Sequence, residues 1–221
     1  MSKSAPSSLQ EAKLAKHRKA ELFEHDLPLE RLEHYSKKQA LAIDTETRGL
    51  VIARDRLCIV QICDDEGLVT FVRYHGEPAP NLKKLLENKD VLKVFHFARF
   101  DVAVLKHYLQ TVVEPVFCTK IGSKLVRTYT EYHSLKDLVR EFLGIELDKT
   151  NQSSDWASEN LSESQIEYAA NDVRVLLPIY EIMVERLKRE RLLELAKRLG
   201  QTVPLIAELD LKGYQNIFEH R

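Results

Sequence analysis

Between Gln39 and Tyr74 the chain passes from apolar run to polar link and back, and this pattern constrains the fold more than any other feature. Gln39-Ala-Leu-Ala-Ile-Asp44 reads as a buried strand with a short polar end. After a loop around Gly49 and Arg54-Asp55-Arg56 comes a second apolar strand, Leu57-Cys-Ile-Val-Gln-Ile-Cys63. Residues 64–67 supply a turn and 68–74 resume an extended pattern, so three consecutive strands form an antiparallel meander. The period then changes. Asn81 is placed to cap a helix over 82–88. A strand is expected over 91–96 and a helix over 99–109, followed by the short strand Val116–Cys118. Helices follow over 120–126 and 134–143, the second stopped by Gly144. Ser162-x-x-Gln165 forms a capping box for a long helix through Ile166, Ala169, Ala170, Val173 and Leu176-Leu177. Pro178 must kink or break it, because proline removes an amide donor and crowds the preceding turn. Helical character resumes to about Leu199. Strands first and strand–helix alternation later make an α/β fold, a mixed central sheet flanked by helices in a single domain.

With 44% hydrophobic and 30% charged residues, the chain has enough apolar surface to fold without disulfides or a structural metal. No stretch approaches the roughly 18 apolar residues of a membrane span. Residues 1–26 lack the apolar core of a secretory signal and read as a polar leader ahead of a domain over 27–221. Lys13, Lys16, Arg18 and Lys19 are nearly cancelled by Glu11, Glu21, Glu24 and Asp26, which favours a solvated segment over a nucleic-acid-binding arm. Cys58, Cys63 and Cys118 form no CxxC pair; buried free thiols and a reducing, cytoplasmic setting follow as expectations. The net charge of −1 lacks the basic surplus of proteins that grip long nucleic acid through many phosphates. A nucleic-acid substrate would then be short, or held by metals and a few local cations.

Asp44-Thr45-Glu46 closes the first strand. Residues two apart on a strand project to one face, so the two carboxylates repel each other, tolerably where they are solvated or share a cation. In Val94-Phe-His-Phe-Ala-Arg-Phe-Asp101 a strand runs into a helix. Asp101 lies in the first helical turn, where dipole and free amides favour a carboxylate in any case. Tyr168-Ala-Ala-Asn-Asp172 puts a phenol and a carboxylate four apart on one helix face. Ile166, Ala169 and Val173 mark a core side beside Tyr168, so the pair is either half-buried, where a bare carboxylate is costly, or part of a solvated polar stripe.

In this order and on these elements, the acids resemble the three motifs of the DEDD exonuclease superfamily, and the tyrosine matches its DEDDy branch. From about 41 to 187 the chain resembles ribonuclease D-like proteins, in His96-Phe-Ala-Arg-Phe-Asp101, Ser154-Asp155-Trp156 and Tyr168-Ala-Ala-Asn-Asp172. It is closer still to the C-type nano-RNases. Asp26-Leu-Pro28, Asp44-Thr-Glu-Thr47, Arg54 through Cys58, Phe117-Cys-Thr-Lys120, Arg127-Thr-Tyr-Thr130 and Gln152-Ser-Ser-Asp-Trp156 carry that likeness.

The resemblance implies a ribonuclease H-like exonuclease fold and a metal-dependent 3′→5′ exoribonuclease acting on short single-stranded RNA, dinucleotides included, or on DNA. It implies two divalent cations, Mg²⁺ or Mn²⁺, on Asp44, Glu46, Asp101 and Asp172, with Tyr168 orienting the attacking water as a fifth catalytic residue. It also implies nucleoside 5′-monophosphate products and a homo-oligomeric ring of eight. Thr45, Leu50, His96, Arg127, Tyr129 and Gln152 are the expected substrate contacts: Leu50 either wedges between bases or is tucked into the core, His96 either meets the substrate or fills the strand end, and Arg127, Tyr129 and Gln152 either hold a terminal phosphate, from the same or a neighbouring subunit, or serve a surface ion pair or helix end. Trp156 either stacks on a base or anchors a loop. Full-length ribonuclease D carries helical HRDC domains after its catalytic domain; none is expected here, which favours a small substrate. The competing expectations are a broader exonuclease on structured RNA or DNA and an inactive nucleic-acid-binding module.

Overall fold

Every side chain of the strand Leu57–Cys63 is buried, so it needs cover on both faces, and the rest of the chain provides that cover. The computed structural model describes residues 20–147, 154–214 and 217. In chain order the elements are β1 (Glu21–Glu24), α1 (Leu29–Tyr35), β2 (Ala40–Thr47), β3 (Leu57–Cys63), β4 (Val69–Arg73), α2 (Pro80–Leu86), β5 (Leu92–Phe95), α3 (Ala98–Leu109), β6 (Val116–Cys118), α4 (Thr119–Val126), α5 (Leu135–Leu143), α6 (Glu163–Arg174), α7 (Leu176–Arg189) and α8 (Leu193–Leu211).

The strands form one mixed sheet in the order β1-β4-β3-β2-β5-β6. β2–β3 and β3–β4 pair antiparallel, as expected of a meander. β5 and β6 add in parallel beside β2. Alternation along β2 and β3 splits their side chains between two cores. Leu41, Ile43, Val60 and Ile62 face one core with residues of α1, α2, α3 and the C-terminal half of α8. Ala42, Ile59 and Cys63 face the other with α5, α6 and α7. Because β2 and β5 are parallel and β5 leads directly into α3, their carboxyl-terminal ends open at one edge of the sheet, where α3 begins. All three cysteines are buried and free.

Four local expectations are corrected. Part of the segment read as a leader, Glu21–Glu24, is strand β1, paired parallel with β4; the rest of that segment up to residue 19 lies outside the described residues. Asn81 does not cap a helix over 82–88. It sits inside α2, whose first-turn amides of Asn81 and Leu82 donate at 2.9 Å to the Asp26 carboxylate, a cap supplied from far away in sequence. The break expected at Pro178 is present but falls three residues earlier, at Val175 between α6 and α7, so Pro178 lies in the first turn of α7, where a missing amide costs little. Finally, the helical region expected to fade near Leu199 is two helices. Arg191 adopts the left-handed conformation between them, and α8 continues to Leu211. Gly200 permits this: a Cβ there would stand 2.1 Å from the Val116 carbonyl oxygen, so only glycine lets α8 lie against β6.

Lys93 on β5 is wholly buried. Its Nζ donates to the carbonyls of Asn88 and Glu114, and burial pushes its pKa down from 10.5 to about 7, against the attraction of Glu114. A neutral amine has two N–H bonds for two carbonyls, so the uncharged form leaves nothing unmet. The unfolded chain therefore binds a proton between pH 7 and 10.5 that the folded chain does not, and folding stability should rise with pH through that window. Denaturant titrations of wild type and Lys93→Met from neutral pH upward check this. We expect the wild type to gain a few kcal/mol relative to the variant; parallel curves would contradict the assignment.

Candidate active site

The carboxyl-terminal end of β2 is where the sheet stops being apolar. Asp44 pairs in register with Gln61 and Glu46 with Ile59, so both carboxylates lie on the face covered by α6. There they meet Asp172 and Tyr168, one helical turn apart on α6. Asp101 arrives from the first turn of α3 and is buried. Thr45, which points to the opposite face of β2, donates its hydroxyl to Asp101 Oδ1 at 2.7 Å. Three segments distant in sequence thus bring four carboxyl groups and one phenol to one place.

The electrostatics report how close they are. Burial, then the charges of Asp101, Glu46 and Asp172, pushes the Asp44 carboxyl far above the ordinary carboxylate range. Glu46 is raised by burial, Asp172 and Asp101. Burial lifts Asp101 to about 7 although the Thr45 hydroxyl favours its charge. Tyr168 is pushed up by burial, by the Asp172 charge and by its hydrogen bond to Asp172. A phenol held so firmly protonated is a donor and an orienting group, not a base. Asp44, Glu46 and Asp101, raised in this way, join Asp172 in an all-oxygen donor set, the kind that hard divalent cations such as Mg²⁺ and Mn²⁺ select.

Asp44, Glu46, Tyr168 and Asp172 line a cleft of about 660 Å³, with Arg48, Leu50, His96, Phe97, Lys120, Lys136 and Trp156 among the other lining residues. Leu50 is 82% exposed, which rules out the core-buried alternative. His96 shares a 2.9 Å hydrogen bond between Nδ1 and Thr119 Oγ1; burial and nearby Lys120 lower its pKa to about 3, so it is neutral. Trp156 is buried, 6.1 Å from the Tyr168 ring, and anchors its loop against α6.

Two expected substrate contacts stand elsewhere. Arg127 is buried and engaged: Nε donates to Glu141 at 2.9 Å, and Nη1 donates to the Ser123 hydroxyl and the Tyr132 carbonyl. The exposed Tyr129 donates its hydroxyl to Glu141 at 2.6 Å. Neither lines the cleft. Gln152 lies outside the described residues. Sequence reasoning missed the cations of the cleft, Arg48, Lys120 and Lys136, because each comes from a different element. Lys120 stands with its Nζ 4.3 Å from the Phe97 ring centroid. A second acidic group, Asp64, Asp65 and Glu66, follows the other end of β3. Lys38 pairs with all three and Asp64 accepts from the turn amides of Glu66 and Leu68, so these acids have partners of their own.

A family model described as 3′-5′ exonuclease matches residues 22–188. The chain belongs to that family. Among its relatives, the ribonuclease D of Gluconacetobacter diazotrophicus is 32% identical over 160 residues, 72% of this chain and 40% of that protein. This exonuclease chain therefore spans less than half the length of that curated relative. The structure of Brucella melitensis NrnC with bound Mg²⁺ matches at a TM-score of 0.86 and 43% identity, covering 92% of this chain and 100% of the other. The structure of the same NrnC bound to pGG matches at 0.86 and 45%, covering 91% and 98%. The fold is that of ribonuclease H-like exonucleases, and the chain is ribonuclease D-like and NrnC-like.

Burial of these acids has a thermodynamic signature. Asp101 holds a proton up to about pH 7 in the folded chain, against 3.8 ordinarily, so between those values the folded state binds more protons than the unfolded one. In chelator, stability should fall as pH rises through this window, by up to about 1.4 kcal/mol per pH unit for each proton retained. Excess Mn²⁺ should remove the fall. Thermal unfolding against pH, with Asp101→Asn as the comparison, measures it; a wild-type slope unaffected by Mn²⁺ would contradict it.

Proposed function

We propose that this chain is a divalent-cation-dependent 3′→5′ exoribonuclease acting on short RNA oligonucleotides, dinucleotides included, and releasing nucleoside 5′-monophosphates. The observation that carries the reading is the convergence of Asp44, Glu46, Asp101 and Asp172 at one side of a cleft, where burial and then the charges of the other acids raise Asp44 and Glu46. Asp44, Glu46, Asp101 and Asp172 would hold two cations. Bound there, these lower the pKa of water and stabilise the charge that develops on the attacked phosphate and on the leaving oxygen. The protein's own residues supply the positioning. The Tyr168 O–H donates toward the same acids and orients the attacking water. Thr45 fixes Asp101. Neutral His96 offers a donor or acceptor at the cleft wall without adding charge. Arg48, Lys120 and Lys136 give the phosphates cationic partners away from the acids, and exposed Leu50 offers an apolar edge against a base.

Short substrates are favoured by scale and charge. The cleft of about 660 Å³ falls within the roughly 300–1,000 Å³ of small-ligand pockets. The net charge of −1 gives no general attraction for long polyanions, and the NrnC likeness includes a structure bound to pGG. By the same resemblance the working unit is a homo-oligomeric ring and the setting cytoplasmic; no described helix is long and apolar enough to cross a membrane. The presence of every acid and the tyrosine speaks against an inactive binding module.

Two measurements test the proposal. A time course on 5′-labelled RNAs from two to twenty nucleotides should show dinucleotides disappearing fastest; preferential loss of the longest RNAs would replace the short-substrate reading with a general exonuclease. Asp172→Ala should fold normally and lose Mn²⁺-stimulated hydrolysis by more than the ~10–100-fold typical of removing an outer-shell partner of a metal site. Retained activity would overturn the assignment of the acids.

A further inference from the structure

Beside the acids sits a side chain that the function has not used. Gln61 lies on β3, fully buried, as the register partner of Asp44. Directly opposite residues of an antiparallel pair project to the same face, so the Gln61 amide points into the layer between β3 and α6 that holds Asp44, Glu46 and Asp172. It lies beside the Glu46 carboxylate and favours its charged form. That approach falls short of full hydrogen-bond geometry, and Oε1 is likewise without a well-formed hydrogen bond among the described residues. A buried primary amide with both ends unmet is rare in folded proteins and calls for a missing partner. An apolar residue of similar size would fill the same space without that penalty, so packing alone does not account for a glutamine here.

We infer that Gln61 is a positioning residue for the cation site, its Nε2 donating to one oxygen of the Glu46 carboxylate so that the other is turned toward a bound divalent cation. An ionised carboxylate only accepts, so Nε2 is the end of the amide that serves it, while Oε1 remains to accept from water at the site. Partners of this outer kind fix the orientation of metal-binding carboxylates. The inference rests on the proposed function, because it presupposes that Glu46 binds a cation.

Calorimetric titration of the full chain with Mn²⁺ tests it, alongside thermal unfolding in chelator and steady-state kinetics on a dinucleotide. Gln61→Leu removes the donor and keeps the bulk; Gln61→Glu keeps the shape and replaces the donor with another acceptor. Both should weaken Mn²⁺ binding by about tenfold or more and lower kcat with little change in KM. In chelator, Gln61→Leu should melt at the wild-type temperature or above it. A Gln61→Leu protein that binds Mn²⁺ as wild type does, or that only loses stability in chelator, would overturn the positioning role. Glu46→Gln separates the two levels of the argument. If wild type and Glu46→Gln bind Mn²⁺ alike, the cation reading of Glu46 fails and Gln61's role fails with it. If Glu46→Gln loses binding and Gln61→Leu does not, only Gln61's role fails.

Discussion

The mutual repulsion of buried carboxylates governs this protein. At the end of β2 the chain places Asp44 and Glu46 on one face, brings Asp172 over them from α6 and pushes Asp101 in from α3. Burial first, and then the charges of the other acids, raise the proton affinity of Asp44 and Glu46. Such a cluster persists only because the surrounding fold is rigid enough to hold it, and it is stable as an ionised set only when positive charge enters. At the other end of β3, Asp64, Asp65 and Glu66 share Lys38 as an ion-pair partner.

The scaffold serves this arrangement. β3 is buried along its whole length and β2 is clamped between it and β5, so the backbone carrying Asp44 and Glu46 has little freedom. The capping box at Ser162 fixes the start of α6, and the small Ala169 and Ala170, both fully buried, let that helix lie close to the sheet. Thr45 links the two faces by holding Asp101. Phe97, in the left-handed conformation, turns β5 abruptly into α3, which is how Asp101 reaches the strand ends. The long C-terminal helix secures this edge from behind, with Arg99 of α3 paired to Asp210 of α8.

Much of this was legible in the chain. Leu57–Cys63 and Val116–Cys118 read correctly as strands because an apolar run between polar links has few other solutions. Asp44, Glu46, Asp101, Tyr168 and Asp172 were singled out because three spacings, each weak alone, together resemble the motifs of the DEDD exonucleases. What failed to show depended on distant partners. β1 is four residues with glutamates at both ends and becomes a strand only by pairing with β4. The cap of α2 comes from Asp26 rather than from its own first turn. α8 passes through Gly200 and Pro204, both poor helix residues, because close contact with β6 rewards the helix there. Arg127 and Tyr129 are both engaged by Glu141 within this chain, the ion-pair alternative to a phosphate contact, and spacing alone could not reveal that partner. The cations that do line the cleft have no shared sequence pattern to reveal them.

The central claim is that these acids form one cation-binding centre. A crystal of the full chain soaked in Mn²⁺ and measured for anomalous scattering tests it directly. The account predicts two strong peaks about 4 Å apart, enclosed by the carboxylates of Asp44, Glu46, Asp101 and Asp172. A map with no peak there, or with the acids turned away from one another around an empty cleft, would contradict it.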